Sequence, residues 1–371
     1  MIIIRPKIIA PDSSHWSKWI DGALSCDSAK RLAAQNFHDR MLKNGNVPFL
    51  SWHHLYELLS VGSAAKANAR VKFLQSLPLI AWMRVAGEAA LGSITDILAA
   101  EAIAYDAGCS GLVEVRDQVR SQLIQVGPGI NAVGQENWVW DALRPLMIEQ
   151  RPHSAMVAAL GGTGFMDENR TVGQLATQRQ RSPAEKRIVL TRIHAKAVRE
   201  AREADPLRSV EEAQHMADSF LLKVLKLMPE EDVPVRELIV ATYGRYGLTP
   251  EEVRDDRTLA ELSTLATFRS HLRIVAEKAG LPFDRLIRVR MESLPSWQIR
   301  DALKRHGQRR RRRPGSDIHD EHLAALAAYT DVLFVDKRTH EDFRRVVQKD
   351  PDLAKLFGSI AKAGDYEQLI I

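Results

Sequence analysis

Short apolar runs alternate with amphipathic stretches at both ends of the chain. The run "KIIAP" ends at Asp12 and the run "VPFL" ends at Ser51, and each predicts a buried strand that leads into a helix. Near the other end, "DVLFVD" predicts a strand between two helical stretches. Strands that alternate with helices are typical of an α/β layer with a parallel sheet.

The middle of the chain has a different pattern. From about residue 63 to 295, apolar residues recur three and four apart, and Ser-Pro-x-Glu and Thr-Pro-Glu-Glu signals open several of these stretches. This pattern predicts helices. We therefore expect an α/β domain built from both termini, residues 1–62 and 308–371, that carries a large, mostly α-helical insertion, residues 63–307.

Composition narrows the class of protein. The chain has 371 residues, of which 45% are hydrophobic and 27% charged, so a packed core is expected and global disorder is excluded. Two cysteines, Cys26 and Cys109, exclude a disulfide scaffold and a cysteine zinc knuckle. Apolar runs stay short of the roughly 18 residues that a membrane span needs. We expect a cytoplasmic protein with no membrane partner.

Carboxylates follow the predicted strands. Asp12 and Asp336 come directly after apolar runs, Asp317 and Asp320 open the helix before the last of them, and Glu57 lies in the helix after "VPFL". The carboxyl ends of parallel strands share one edge of a sheet, where open α/β proteins place their sites. Grouped carboxylates raise one another's pKa unless a cation compensates them. The pattern therefore predicts a site for Mg²⁺ or Mn²⁺, which prefer oxygen ligands.

Each of these side chains also has a simpler interpretation. A lone aspartate before an apolar run usually caps a helix. His53 lies four residues before Glu57, and such a pair can hold zinc on one helix face, but the chain has no second pair of this kind. We therefore interpret His53 and His54 as core or surface histidines, and His319 as an ordinary loop histidine.

A basic stretch precedes the acidic one. The net charge is +5, and Lys304 and Arg305 are followed by a run of five arginines before Pro314. We predict that these residues contact a nucleic-acid backbone without reading its sequence. A solvated loop is the alternative. The arginines of the run are Arg309, Arg310, Arg311, Arg312 and Arg313.

The segments "KIIAPDSSHW", "VPFLSWHHLYELL" and "SDIHDEHLAALAAYTDVLFVDK", in this order, resemble the PIN-like nuclease family. The likeness covers about residues 5–60 and 315–345. It implies a three-layer α/β/α fold and metal-dependent hydrolysis of phosphodiester bonds, usually in RNA. Asp12, Glu57, Asp320 and Asp336 match the family's acidic positions, and Asp317 fits the form that some branches have. Phe334 departs from the threonine that often precedes the last aspartate.

The resemblance leads to the expectation of an endoribonuclease. The four matched acids would be catalytic and would hold the ion together with Asp317. A toxin or defence effector would suit such a domain. Two alternatives stay open: a structure-specific DNA nuclease, and a non-catalytic PIN-like scaffold. In the second alternative the helical region would bind a protein partner or a second copy of the chain.

Overall fold

The computed structural model describes residues 5–85, 91–160, 167–178, 181–227, 233–308 and 316–371. The chain divides into two compact units. The first unit comprises Met1–Gln150, Val275–Gln308 and His319–Ile371, and the second comprises Arg151–Ile274 and Arg309–Ile318. The sheet and the predicted site residues Asp12, Glu57, Asp320 and Asp336 belong to the first unit, whereas Asp317 falls in the range of the second.

The described residues of the first unit form a six-stranded sheet in the order β4-β3-β2-β1-β5-β6. Each pair of neighbours is parallel except β3 and β4, which are antiparallel. The strands are β1 (Lys7–Ala10), β2 (Asn46–Leu50), β3 (Ile80–Met83), β4 (Ile124–Gly127), β5 (Val332–Phe334) and β6 (Ser359–Ala361).

Helices connect the strands and build most of the rest of the described chain. They are α1 (Ser13–Ala23), α2 (Ser28–Lys43), α3 (Trp52–Leu59), α4 (Ala64–Ser76), α5 (Ile94–Asp106), α6 (Leu112–Leu123), α7 (Gly129–Val133), α8 (Asn137–Leu160), α9 (Val172–Ala176), α10 (Pro183–Ala204), α11 (Val210–Leu227), α12 (Val235–Gly244), α13 (Leu259–Ala279), α14 (Phe283–Leu286), α15 (Pro295–His306), α16 (Ser316–Ala324), α17 (Lys337–Lys349) and α18 (Pro351–Ala354). None of these helices is long and apolar enough to cross a bilayer.

The sheet is covered on both faces, so the first unit is a mixed α/β unit with helices on either side. Ile9 and Leu50 point to one face, where Trp16 and Trp19 of α1 and Phe37 of α2 complete the core. Alternate residues of the same strands point to the other face and pack on α5, α6, α15 and the segment before β5. This alternation follows from the two-residue period of a strand. The fold class expected from the sequence is confirmed at this level.

The first unit takes in much of the range that was predicted as insertion. Residues 63–150 and 275–307 belong to it, and β3 and β4 lie inside that range. The segment "IAWM" of β3 is buried at all four positions because helices cover both faces of the sheet. Such a run lacks the alternation of a half-exposed strand, so its period does not distinguish it from a buried helix.

One carboxylate ties the amino-terminal ends of two central strands together. Asp331 precedes β5, and its Oδ2 accepts from the backbone N–H of Ile8 in β1 at 2.7 Å. Its Oδ1 accepts from the Arg120 guanidinium of α6, also at 2.7 Å. Asp331 therefore lies at the sheet edge opposite to the predicted site, and its contacts are structural.

Two long helices of the second unit, α10 and α11, pack through small side chains. Buried alanines line the contact between α10 and α11, and this lets the two helices approach closely. These residues are Ala197, Ala201, Ala204, Ala213 and Ala217.

Candidate functional site

Two aspartates lie at the carboxyl ends of adjacent parallel strands. β1 pairs with β5 through Ile9–Val332 and Ala10–Leu333. Extending this register by two residues brings Asp12 level with Val335, next to Asp336. Neighbouring strands lie about 4.8 Å apart. The strand order also reverses here, since β2 and β3 follow on one side of β1 and β5 and β6 on the other.

Asp12 caps the helix that follows β1. Its Oδ1 accepts from the backbone N–H of Ser14 at 2.7 Å, and its own N–H donates to Nδ1 of His15 at 3.2 Å. Nε2 of His15 then donates to the carbonyl of Ala363 at 3.0 Å. The side chain of Asp12 is half-buried, and in the capping box it also accepts from the backbone N–H of His15.

Asp336 caps α17 in a similar way. Oδ1 accepts from the N–H of Thr339 at 2.6 Å, and Oδ2 accepts from the Arg338 guanidinium at 3.2 Å. Partial burial alone would raise the pKa of Asp336, but these hydrogen bonds and the charge of Arg338 outweigh it and lower the pKa. The group is therefore a carboxylate at neutral pH.

At the end of β2, Ser51 occupies the N-cap position of the next helix, α3, as Asp12 does for α1. The N–H of Ser51 donates to Nδ1 of His54 at 3.0 Å, three residues into α3. Burial lowers the pKa of His54 to about 4, although the Asp12 carboxylate and the backbone of Pro11 favour the charged ring and partly offset the burial. α3 packs against α1. Glu57 is half-buried, one turn further along α3.

Histidines from α3 and α16 form a compact group. The ligand nitrogens of His53, His319 and His322 all lie within 4.8 Å of one another. Spacings of three or four residues bring side chains to one face of a helix, so His319 and His322 share a face of α16. The ring centroid of His53 lies 4.8 Å from that of His322 and 6.1 Å from that of His319.

Neighbouring groups hold these rings in place. Nε2 of His53 accepts from the N–H of Ile94, at the start of α5, at 3.3 Å. The ring of Tyr56 lies 4.9 Å from that of His319, and the Tyr56 hydroxyl donates to the carbonyl of Met147 at 2.8 Å. Burial sets the pKa of His53 well below its usual value, and the charges of the neighbouring histidines and of Arg300 lower it further.

The structure thus places Asp12 and Asp336 at one sheet edge, whereas the compact group of ligand atoms consists of histidines. In the part of the chain that the structure describes, the group with ligand atoms within 4.8 Å consists of the three histidines, without Asp12, Glu57, Asp320 or Asp336. Asp320 is half-buried and follows His319, about 100° further round α16. Asp317 belongs to α16, but its side chain lies outside the described residues.

Sequence reasoning did not assemble this histidine group. The local pattern predicts a core or surface histidine at His53 and a loop histidine at His319, but His319 lies in α16. A usable signal exists in the His-x-x-His spacing of residues 319–322, which puts two imidazoles on one helix face. Its link to His53 depends on how α16 packs against α3, and one sequence does not reveal that contact.

A basic groove lies between the end of α15 and the second half of α17. It encloses about 450 Å³, and its lining residues are Arg305, His306, Arg344, Arg345, Gln348 and Lys349. Ion pairs offset part of this positive charge: Asp301 pairs with Arg305, and Glu341 pairs with Arg344 and Arg345. Of the residues predicted to bind nucleic acid, Arg305 lines this groove and Lys304 lies beside it in α15. Arg309–Arg313 lie outside the described residues.

Comparisons of this chain with protein-family models, with curated proteins and with solved structures found no match.

Proposed function

We propose that the first unit is a PIN-like, divalent-metal-dependent endonuclease that acts on RNA. The observation that carries the proposal is the position of Asp12 and Asp336 at the ends of adjacent parallel strands, where the strand order reverses. In open α/β sheets, ligands bind in the crevice outside the carboxyl ends of the strands at such a reversal.

The carboxylates suit a cation that keeps part of its water shell. Asp12 is half-buried at this edge, and a carboxylate that caps a helix can also accept from a water on a bound ion. Mg²⁺ and Mn²⁺ are commonly held by one or two carboxylates and several waters, so the four acids need not touch one another. Glu57 and Asp320, on the helices beside the edge, would orient those waters.

When bound, the ion supplies a polarised water and stabilises the developing charge on the phosphodiester. The residues of the chain bind and position the substrate. Arg305, Arg344, Arg345 and Lys349 line a groove that suits a phosphate backbone. Contacts of this kind hold a strand in place without reading its bases. We therefore expect cleavage with little sequence preference.

The proposal predicts that Asp12→Asn and Asp336→Asn each lower cleavage of a labelled mixed-sequence RNA by at least about 100-fold in Mn²⁺. Asparagine caps helices nearly as well as aspartate, so the fold is retained while a charged ligand is lost. Asp27→Asn is the matched control. Asp27 also caps a helix, accepting from Ala29 and Lys30, and this variant should cleave at the wild-type rate.

Activity is measured by gel electrophoresis, and thermal unfolding checks that each variant is folded. EDTA should abolish cleavage and added Mn²⁺ should restore it. Wild-type protein that cleaves no RNA under these conditions contradicts the proposal. Cleavage of matched DNA but not of RNA would favour the alternative of a DNA nuclease.

A further inference from the structure

We propose that His53, His319 and His322 form a binding site for a transition-metal ion of the Zn²⁺ class. This site is distinct from the carboxylate set, and the inference does not depend on nuclease activity. It rests on three imidazoles from two helices, with their ligand nitrogens within 4.8 Å of one another.

The spacing of the nitrogens is close to what a metal requires. A tetrahedral ion with metal–nitrogen bonds of about 2.1 Å holds its ligand nitrogens about 3.4 Å apart. Side-chain rotations that move each nitrogen by about 1 Å would therefore convert the present group into three ligands. The backbone can stay fixed, because His319 and His322 already share one face of α16.

The surroundings favour a bound ion rather than a chance cluster. The Tyr56 ring lies against His319 and is fixed by its hydrogen bond to Met147, so this imidazole is held in place. Nε2 of His53 accepts a long hydrogen bond from the N–H of Ile94, so this nitrogen carries a lone pair. A bound metal would take that lone pair in place of the N–H. Groups that hold ligand rings in this way strengthen metal binding.

The nearby charges permit a cation. Arg300 is close enough to lower the pKa of His53, but its guanidinium is paired with Glu321 at 3.2 Å. On α3, the carboxylate of Glu57 lies one turn beyond His53, on the same side of the helix.

The ligand type selects the metal. Imidazole suits Zn²⁺, Cu²⁺, Ni²⁺ and Fe²⁺, whereas Mg²⁺ and Ca²⁺ require oxygen ligands. Three histidines and an open fourth position are the arrangement of catalytic rather than purely structural zinc sites. We therefore expect the site to exclude Mg²⁺ even at a large excess.

The test is titration of the metal-free full chain with Zn²⁺ by calorimetry, and with Co²⁺ by visible absorption. The expected result is one tight site per chain that a large excess of Mg²⁺ does not displace. The double variant His319→Gln/His322→Gln should bind at least about 100-fold more weakly, because two of three ligands are lost. His53→Gln, on the other helix, should weaken binding in the same direction.

The matched control is the double variant His153→Ala/His215→Ala, which removes two exposed histidines from the second unit. It should bind Zn²⁺ as the wild type does. The proposal is overturned if the wild type takes up neither metal, or if the folded glutamine variants bind as tightly as the wild type. Asp12→Asn/Asp336→Asn protein should keep the zinc site, so failure of the nuclease proposal would not remove this one.

Discussion

The carboxyl group of Glu101, in α5, is enclosed and hydrogen-bonded through both oxygens. Oε1 accepts from the N–H of Ser296 at 2.8 Å and from the Tyr329 hydroxyl, and Oε2 accepts from Oγ of Ser296 at 2.6 Å. Burial raises the pKa of Glu101 to about 7, and the hydrogen bonds offset only part of this effect. Ser296 is the second residue of α15, so Glu101 satisfies a backbone donor in the first turn of that helix.

Glu101 makes the free energy of unfolding depend on pH. Its pKa is higher in the folded chain than its ordinary value of 4.5, so its stabilising contribution is complete below pH 4.5 and is lost as the pH rises to about 7. We expect the wild type to lose about 3 kcal/mol more than Glu101→Gln over this interval. Thermal or urea unfolding at a series of pH values measures the difference.

Glu292→Gln is the control for this measurement, since Glu292 lies at the turn before α15 and carries a largely exposed side chain. It should keep the wild-type dependence on pH. If Glu101→Gln shows the same dependence on pH as the wild type, the raised pKa of Glu101 is wrong.

Of the candidate site, the sequence predicts the aspartates that follow the strands. Asp12 and Asp336 follow short apolar runs, and the parallel register puts them at one edge as expected. The same residues also cap helices, and no local pattern separates the two roles. His322 shows the other limit, because its partner His53 is distant along the chain and the contact depends on tertiary packing.

At the scale of elements, β1, β5 and α6 are joined through the carboxylate of Asp331. Replacing Asp331 with alanine would leave the N–H of Ile8 and the half-buried Arg120 without their acceptor. We expect a loss of about 2–4 kcal/mol in the free energy of unfolding. Asp331→Asn should cost less, because its amide oxygen can still accept one of the two bonds. Urea unfolding followed by circular dichroism measures both changes.

Asp352→Ala serves as the comparison, since Asp352 pairs with Lys355 on the surface and both side chains are exposed. Its effect should be much smaller than that of Asp331→Ala, because water and salt screen an exposed ion pair. Equal losses in the two alanine variants would show that Asp331 does not join these elements.

Strands that lead into a helix cap were predictable, whereas β3, β4 and β6 were not. The helix caps at Asp12 and Ser51 and the strands β1, β2 and β5 follow from local patterns. In the carboxyl-terminal residues, the pattern of "DPDLAKLFGSIAKAG" predicts a helix and "YEQLII" predicts an edge strand, but the structure differs. α18 ends at Ala354, Ser359–Ala361 form β6, and a short 3-10 helix follows at Tyr366–Leu369. Pairing with β5 decides this outcome, and propensity does not encode that pairing.

At the scale of the whole molecule, positive charge is concentrated where α15 meets α17. If this groove binds RNA, Arg305→Gln/Lys349→Gln should weaken binding to every sequence by a similar factor. For single-stranded RNA, the slope of log K against log salt should fall by about 0.7 for each phosphate that the variant no longer neutralises. Fluorescence anisotropy at several salt concentrations, in EDTA to prevent cleavage, measures this slope.

Lys30→Gln/Lys43→Gln makes the same change of charge on α2, which packs on the opposite face of the sheet. This control should leave the salt slope unchanged. An equal fall in both variants would mean that net charge, rather than the groove, controls binding.

The pairing of β1 with β5 also affects folding during translation. Ile8 and its acceptor Asp331 are 323 residues apart. At about 5–20 residues per second, a ribosome needs roughly 15–65 s to synthesise that interval. During this time the unpaired edge of β1, a central strand, lies open to chaperones or to neighbouring nascent chains. Folding of the first unit during translation must therefore wait for the last strands to emerge.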